Sequence, residues 1–525
     1  MDWKRYALSF LGFNGLGAPS LYVLLRWQGA LPFNPEHFAG MSPIMAFNTA
    51  ASFVTTTNLQ DYGGESTLSY LSKAAGLAQQ NFLAAASGVV TLLAVARAFM
   101  RSEGRGLGNF WVDTTRTVLY LFLPLAAIFT VFYIQQGAIE NWVAYVHADL
   151  IQPFWHDGHW IRHQVLAMGP AASQEAITIL AGDGGAVFNA GVAHPFVNPT
   201  PLSNLGQMVS FLLIPTALIF WFGRALRRPR VAWAILACTT LLWLPLAVTS
   251  EAADLVSNPQ FPPSVSRASG PDAGGGGNLE GVDLRFGSGA CALFGSLAAT
   301  TGAGMSGCAY DSMMPLSSGI NMVFMQLGEL LFGGARVGLE SFLATMIFAV
   351  FLAGLMTGRS PVFLAKKIEA FEIKMVALSL LVMPVLVLLT TAFAVSVPDG
   401  RAAVFNPGPQ GFSEVLYEFT SAVNNNGSDM GGLNVNTTFY NALSAMAMLF
   451  GRYFGILPLL AMAGSLIQKK RLPQGAGILR ESSVLMILFV TFVIVVLGAI
   501  TFLPAFALGP LAAQWAILPP PQLQW

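Results

Sequence analysis

The chain has 525 residues, 54% of them hydrophobic and 10% charged, with 26 basic and 26 acidic residues and no formal net charge. Soluble domains carry about 25% charged residues, so this composition excludes an ordinary soluble domain and marks an integral membrane protein. Zero net charge leaves no case for nucleic acid as a partner.

The length suffices for about nine or ten membrane helices of ~20 residues each. Apolar stretches predict spans at 6–27, 79–99, 117–134, 205–222, 231–248, 320–356, 375–395, 440–466 and 484–506. No small-residue cleavage site follows Met1 to Tyr6, which lead directly into a span, so the start does not read as a signal peptide. The stretch 320–356 is too long for one straight helix and contains Glu329, Gly333, Gly334, Arg336 and Glu340. It reads as a helix interrupted near the glycine pair.

Charge sets the orientation. Basic residues cluster in four connectors: Arg97, Arg101, Arg105 and Arg116; Arg224, Arg227, Arg228 and Arg230; Arg359, Lys366, Lys367 and Lys374; Lys469, Lys470, Arg471 and Arg480. The positive-inside rule places these connectors in the cytoplasm. One opposite loop holds Glu251, Asp254, Asp272, Glu280 and Asp283, and acidic outer loops raise the local concentration of a cation. The longest outer segments are 135–203 and 249–288, the second carrying the turn-rich stretch from Pro271 to Asn278.

Between the spans, a short apolar stretch followed by a polar turn recurs: TTTN at Thr55, Thr56, Thr57 and Asn58; GDGG at Gly182, Asp183, Gly184 and Gly185; GAG at Gly302, Ala303 and Gly304; NNNGS from Asn424 through Asn425, Asn426 and Gly427 to Ser428. Each stretch is too short to cross a bilayer, and backbone at membrane depth must line a cavity or be buried in protein. The pattern predicts an all-α integral membrane protein. Four pseudo-repeats of helix, re-entrant pore helix and helix surround one pore, at 1–104, 105–228, 229–360 (with the broken helix) and 361–475, and a last membrane helix and tail occupy 476–525.

The turns suit potassium. A dehydrated potassium ion needs oxygens in place of water, and rings of backbone carbonyls supply them. Gly184, Gly304 and Gly427 permit the dihedrals that aim carbonyls at an axis. The threonines and asparagines add oxygens or hold the turns by local hydrogen bonds. A single Gly- or Asn-rich turn is ordinary loop punctuation; four in the same frame favour a pore.

Other features are plainer. Cys238, Cys291 and Cys308 have no metal-type spacing and read as small apolar or near-pore residues, not as a disulfide framework. The six histidines fall in outer loops, and His156 with His159 reads as a solvent-exposed pair. The motif HPFVNP from His194 shapes the segment after the second turn. Arg26 snorkels to the interface. Glu329, Arg336, Arg359 and Arg452 are ionisable residues in or beside spans and so are functional candidates; for Arg359 an anchoring role at the membrane face weighs as much. No DKTG-like phosphorylation sequence and no G-x-x-x-x-G-K-[ST] is present, so the chain is no ATPase by itself.

Longer motifs carry a resemblance. SFVTTTNLQDYGGESTLSY (Ser52–Tyr70), MGPAASQEAI (Met168–Ile177), FNAGVAHPFVNPTPLSN (Phe188–Asn204), MQLGELLFGG (Met325–Gly334) and NPGPQGFSEVLYEFTSAVNNNGS (Asn406–Ser428) closely resemble the potassium-binding A subunit of the Kdp-type potassium-transporting ATPases. The resemblance runs from Met1 to about Pro510. It implies the four-repeat fold of the potassium transporter superfamily, K+ as the transported ion and no organic cofactor in this chain. It also implies the bacterial inner membrane and a complex with a P-type ATPase B subunit, a C subunit with a single membrane helix and often a very small F peptide. In that family the A subunit selects the ion from the outer side and the P-type subunit uses ATP to pump it inward.

The resemblance places the filter at Thr55 to Asn58 with Gln60 just beyond, at Gly184, at Gly304, and at Asn426 with Gly427. It assigns Glu329 and Arg452 to the ion exit and inter-subunit route, where Glu329 with Arg359 or Arg452 is expected to form a charge network gating passage to the ATPase subunit. Departures from the family pattern are GAG in place of a Ser/Thr-containing third turn, Tyr310 for a histidine, Asp183 for an asparagine, Ala186 for a glycine, and an acid at Asp429. Asp183 is expected to add negative charge near the ion path, so Asp183→Asn should change apparent potassium affinity while leaving transport intact. The family usually opens with one more membrane helix ahead of Met1; Lys4 and Arg5 orient the first span here. The alternative is a gradient-driven Trk/Ktr-type potassium subunit, which the long specific matches disfavour. A secondary transporter with inverted repeats does not fit repeats of one orientation.

Overall fold

Among the described residues, nine helices are long and apolar enough to cross a membrane. The structure is a computed structural model that describes residues 1–101, 104, 106–256, 258–262, 264–265, 278–328, 330–333, 338–472 and 480–518. Arg105, Arg267, Pro271 to Gly277 with Asp272, Glu329, Gly334 and Arg336 lie outside the described residues.

The nine spans are α1 (Trp3–Trp27), α3 (Ser72–Met100), α4 (Phe110–Gln136), α6 (Pro201–Ala225), α7 (Pro229–Asp254), α10 (Gly338–Thr357), α11 (Ala370–Ser396), α13 (Thr438–Leu466) and α14 (Val484–Ile517). The helices α2 (Pro43–Val54), α5 (Ala171–Ala181), α8 (Gly287–Thr301) and α12 (Pro409–Asn424) are shorter. At 1.5 Å per residue the 12 residues of α2 reach about 18 Å, too little for a ~30 Å hydrocarbon core. The helix α9 (Pro315–Gln326) is the first half of the interrupted segment.

Sequence signals set the ends. The Asp2 side chain accepts from Arg5 N at 2.8 Å and starts α1. Pro43 opens α2 behind a Ser42 cap. Thr200 and Ser203 form a reciprocal capping box for α6. Burial sorts the spans: only 22% of the apolar window of α1, α4, α11 and α14 is buried, against 78% for α3. The first group therefore presents its apolar side chains to lipid, and α3 stands in the interior.

The basic connectors are laced by charge. Arg97 is bidentate to Asp113, closing the link between α3 and α4. Arg228 pairs with Glu481 at 3.2 Å and Lys469 with Glu372 at 2.7 Å. Lys366 Nζ donates to the carbonyls of Arg101 (2.7 Å) and Lys469 (2.5 Å), joining three connectors.

Three expectations need correction. First, helical structure in the interrupted segment ends at Gln326 and resumes at Gly338, so the break begins ahead of the glycines. Phe332 adopts φ 57° and Gly328 φ 79° there, and left-handed residues end helical pairing. Second, the segment 135–203 contains a β-hairpin, β1 (Val146–His156) and β2 (His159–Leu166), beside the predicted helices. Its Asp157-Gly158 turn has positive φ at both residues, the type I′ geometry of two-residue hairpins, and Trp155 faces Trp160 across it. Third, Cys291 and Cys308 form a disulfide, with Cα atoms 5.9 Å apart. The chain leaving the third turn runs back beside α8 and brings Cys308 to its start; Cys238 is free and buried.

Candidate functional site

The four short helices end in the same way. Beyond each C-terminus, one N–H reaches back five residues: Thr57 to the Ser52 carbonyl, Asp183 to Thr178, Ala303 to Ala298 and Asn426 to Ser421. The residue before each is left-handed, with φ of 62° at Thr56, 68° at Gly182, 73° at Gly302 and 59° at Asn425. This is the six-to-one closure of a Schellman end, used four times. Thr57, Asp183, Ala303 and Asn426 are thus structurally equivalent. A second positive φ follows at Asn58, Gly304 and Gly427; in the second turn it falls one residue later, at Gly185 rather than Gly184.

The four turns converge. A Cβ added to Gly184 would lie 2.7 Å from the Thr57 carbonyl oxygen and 2.8 Å from that of Asn426. A Cβ on Gly304 would strike the Asn426 carbonyl and approach the Gly184 Cα at 2.7 Å; one on Gly427 would strike the Thr57 carbonyl. Every turn therefore contributes backbone to one axis, with carbonyl oxygens in its wall. Only glycine fits at Gly184, Gly304 and Gly427. Because the helices end here, each also presents the partial negative charge of its C-terminus.

A layer of side chains holds the turns behind the axis. Asn425 Nδ2 donates to Thr57 Oγ1 at 3.0 Å and to the Met448 carbonyl at 2.9 Å, joining the fourth turn to the first. Thr55 Oγ1 lies 2.8 Å from Thr57 Oγ1. Asn58 Nδ2 donates to Asn81 Oδ1, and Asn81 Nδ2 donates to Thr178 Oγ1 of α5. Gln60 Oε1 accepts from Ala186 N at 2.7 Å, tying the first turn to the second. Ser421 Oγ accepts from Gly427 N, and Tyr417 Oη meets Ser428 Oγ. Sequence reasoning missed Asn81, Thr178, Tyr417 and Ser421; their one signal is polarity inside apolar helices.

The predicted site residues do not all meet. Thr55 to Asn58, Gln60, Asp183 to Gly185, Gly302 to Gly304 and Asn425 to Gly427 gather around the axis. Arg452, 2% exposed, lines a cavity of about 400 Å³ with Asn424, Asn425, Gln326 and Gly328, at the helix-end side of the turns. Arg359 lies exposed past the end of α10 and outside that lining. Glu340, 1% exposed in the first turn of α10, lies in the field of Arg452 and was not anticipated as a site residue. The HPFVNP segment folds as a cap after the second turn: His194 stacks on Phe188 at 4.1 Å and its Nδ1 accepts from Phe196 N. Burial lowers the His194 pKa and the Arg285 charge adds to this, against the pull of Glu65.

Chemically the wall of the axis offers backbone carbonyl oxygens, those of Thr57 and Asn426 among them. Among the described residues no group of three or more His, Cys, Asp or Glu side chains could hold a metal ion. Such a wall suits a weakly hydrated monovalent cation better than a divalent one, which takes carboxylates or keeps its water.

Residues 1–515 match the family model described as potassium-transporting ATPase A subunit. The chain is similar to proteins named potassium-transporting ATPase potassium-binding subunit. That of Chromobacterium violaceum is 44% identical over 539 residues, covering 99% of this chain and 90% of that one. That of Herpetosiphon aurantiacus is 47% identical over 512 residues, covering 97% and 88%. Among solved structures, the potassium transporter TrkH of Vibrio parahaemolyticus aligns with a TM-score of 0.54 at 14% identity, covering 88% of this chain and 85% of that one. At that identity the likeness speaks to the fold alone.

Proposed function

The chain belongs to the potassium-transporting ATPase A subunit family, and on that premise we propose that its four turns form the potassium filter of an ATP-driven uptake pump. As a member it is a non-hydrolytic, potassium-binding membrane subunit. The observation that carries the filter is the convergence of Thr57, Gly184, Gly304, Asn426 and Gly427 on one axis through four equivalent helix ends. Four different sequences reach one backbone geometry there, which a chance cluster of loops does not require.

The filter faces outward, because the basic connectors orient to the cytoplasm. The repeat boundaries are 1–104, 105–228, 229–360 and 361–475, with the last membrane helix following. Potassium passes from the axis into the cavity beside Arg452 and on to a P-type ATPase B subunit. A C subunit with one membrane helix and a small F peptide complete the assembly in the bacterial inner membrane. Glu329, with Arg359 or Arg452, forms the charge network that gates that passage.

The test is ATP hydrolysis by the co-purified complex. Potassium should stimulate it and sodium should not. An assembled, ATP-binding complex indifferent to potassium would contradict the reading. Arg452→Ala in the same complex should leave hydrolysis potassium-stimulated but uncouple it from potassium uptake into vesicles; fully coupled transport would remove Arg452 from the gate.

A further inference from the structure

Two buried acids beside the axis have no role in the filter described above. Asp61 follows the first turn and is 5% exposed; Glu418 sits on α12 before the fourth turn and is 2% exposed. The first and fourth repeats join here, through Asn425 to Thr57 and through Asn48 Nδ2, which donates to the Asn441 carbonyl and to Ser444 Oγ. None of the four carboxylate oxygens of Asp61 and Glu418 has a hydrogen-bond partner among the described residues.

The groups that face this pair offer no positive charge. Glu418 lies in the fields of Asp61 and Asp429, and the Asp61 charge also acts on Tyr62. Tyr440 of α13 lies in the fields of Glu418 and Glu414. Asp429 is exposed, and its charge acts on both acids. No lysine or arginine among the described residues forms an ion pair with Asp61 or Glu418.

A buried carboxylate without a partner costs several kcal/mol. Two such acids in one another's field do not both stay ionised unless a cation offsets their charge. We propose that Asp61 and Glu418 form a capture site for one monovalent cation beside the filter mouth, approached past Asp429. The absence of a third described ligand acid disfavours a divalent ion. Naming that cation potassium rests on the function proposed above.

When the cation leaves, a proton replaces it. Burial, then the charge of Asp429, pushes the Asp61 carboxyl well above its ordinary range. Protons therefore compete with potassium, and acidification weakens capture.

The assembled complex tests this through the potassium concentration that half-stimulates ATP hydrolysis. Asp61→Asn and Glu418→Gln should each raise it about tenfold with the maximal rate kept, the size expected for losing one charged contact. The double variant should be no worse than the worse single, because both act on one ion. Lowering the pH from 8 to 6 should weaken the wild type and leave the double variant unmoved. Rubidium binding to the purified chain in detergent supplies a readout independent of assembly, and Glu418→Gln should hold one ion fewer. Unchanged half-stimulation and ion count in both single variants would overturn the site, as would additive losses in the double. A wild-type complex with no potassium response would instead overturn the function reading, and with it the ion named here.

Discussion

Gly427 shows most sharply how one residue sets the geometry of the four turns. Its φ is 90°, and a Cβ there would strike the Thr57 carbonyl oxygen. Left-handed backbone costs an L-residue about 1–2 kcal/mol, and the clash displaces a carbonyl oxygen that in the proposed filter faces the ion. Gly427→Ala should therefore raise the half-stimulating potassium concentration at least about tenfold in a complex that still assembles. Gly12→Ala is the control: Gly12 lies on an exposed face of α1 with nothing within 4 Å of its added Cβ, and its potassium response should not change. A normal response in Gly427→Ala would show that this backbone does not touch the ion path. At this scale the convergence of the glycines was legible from spacing, since Gly184, Gly304 and Gly427 each stand in a polar turn after a short apolar stretch. The side-chain layer was not. Asn81 sits in α3, far in sequence from both Asn58 and Thr178, and only folding brings the three together.

At the scale of elements, the third turn stands apart. Ala303 takes the position of Thr57, Asp183 and Asn426 but brings no polar side chain. The Cys291–Cys308 disulfide closes the hairpin that carries this turn, across a separation of 17 residues. A loop of that size gives about 3 kcal/mol of stabilisation. Cys291→Ser and Cys308→Ser should each lower the unfolding temperature by several degrees, in a thermal shift of the detergent-purified chain, and reducing agent should do the same to the wild type alone. Equal unfolding temperatures with and without reductant would show that the bond does not brace the turn. The bond escaped sequence reasoning because three cysteines without metal spacing give no pairing signal. The hairpin at 146–166 did have one: Asp157-Gly158 between β-branched and aromatic residues is a type I′ signature, masked by the helical character of everything around it. The break after Gln326 was anticipated, but its start was placed at the glycines. Helical pairing stops earlier, where the left-handed Gly328 ends it.

Over the whole molecule, hydropathy and basic connectors carried the architecture, because lipid leaves so few ways to satisfy a backbone. The predicted stretch 320–356 corresponds to two helices, α9 and α10, and each of the other eight to one helix longer than its apolar stretch. The number of repeats was legible for the same reason, as each short helix must end inside the protein and needs a turn that lines something. What sequence left hidden is how the turns differ: the positive φ displaced to Gly185, the bare Ala303, and the acids Asp61 and Glu418 beside the mouth. These depend on contacts between repeats hundreds of residues apart. The central claim is that all four turns line one potassium site. The most direct measurement is the anomalous scattering of thallium or rubidium soaked into crystals of the assembled complex. The account predicts a peak on the axis enclosed by the backbone of Thr57, Gly184, Gly304 and Asn426, lost on competition with potassium; ion peaks elsewhere in the chain with that axis empty would contradict it.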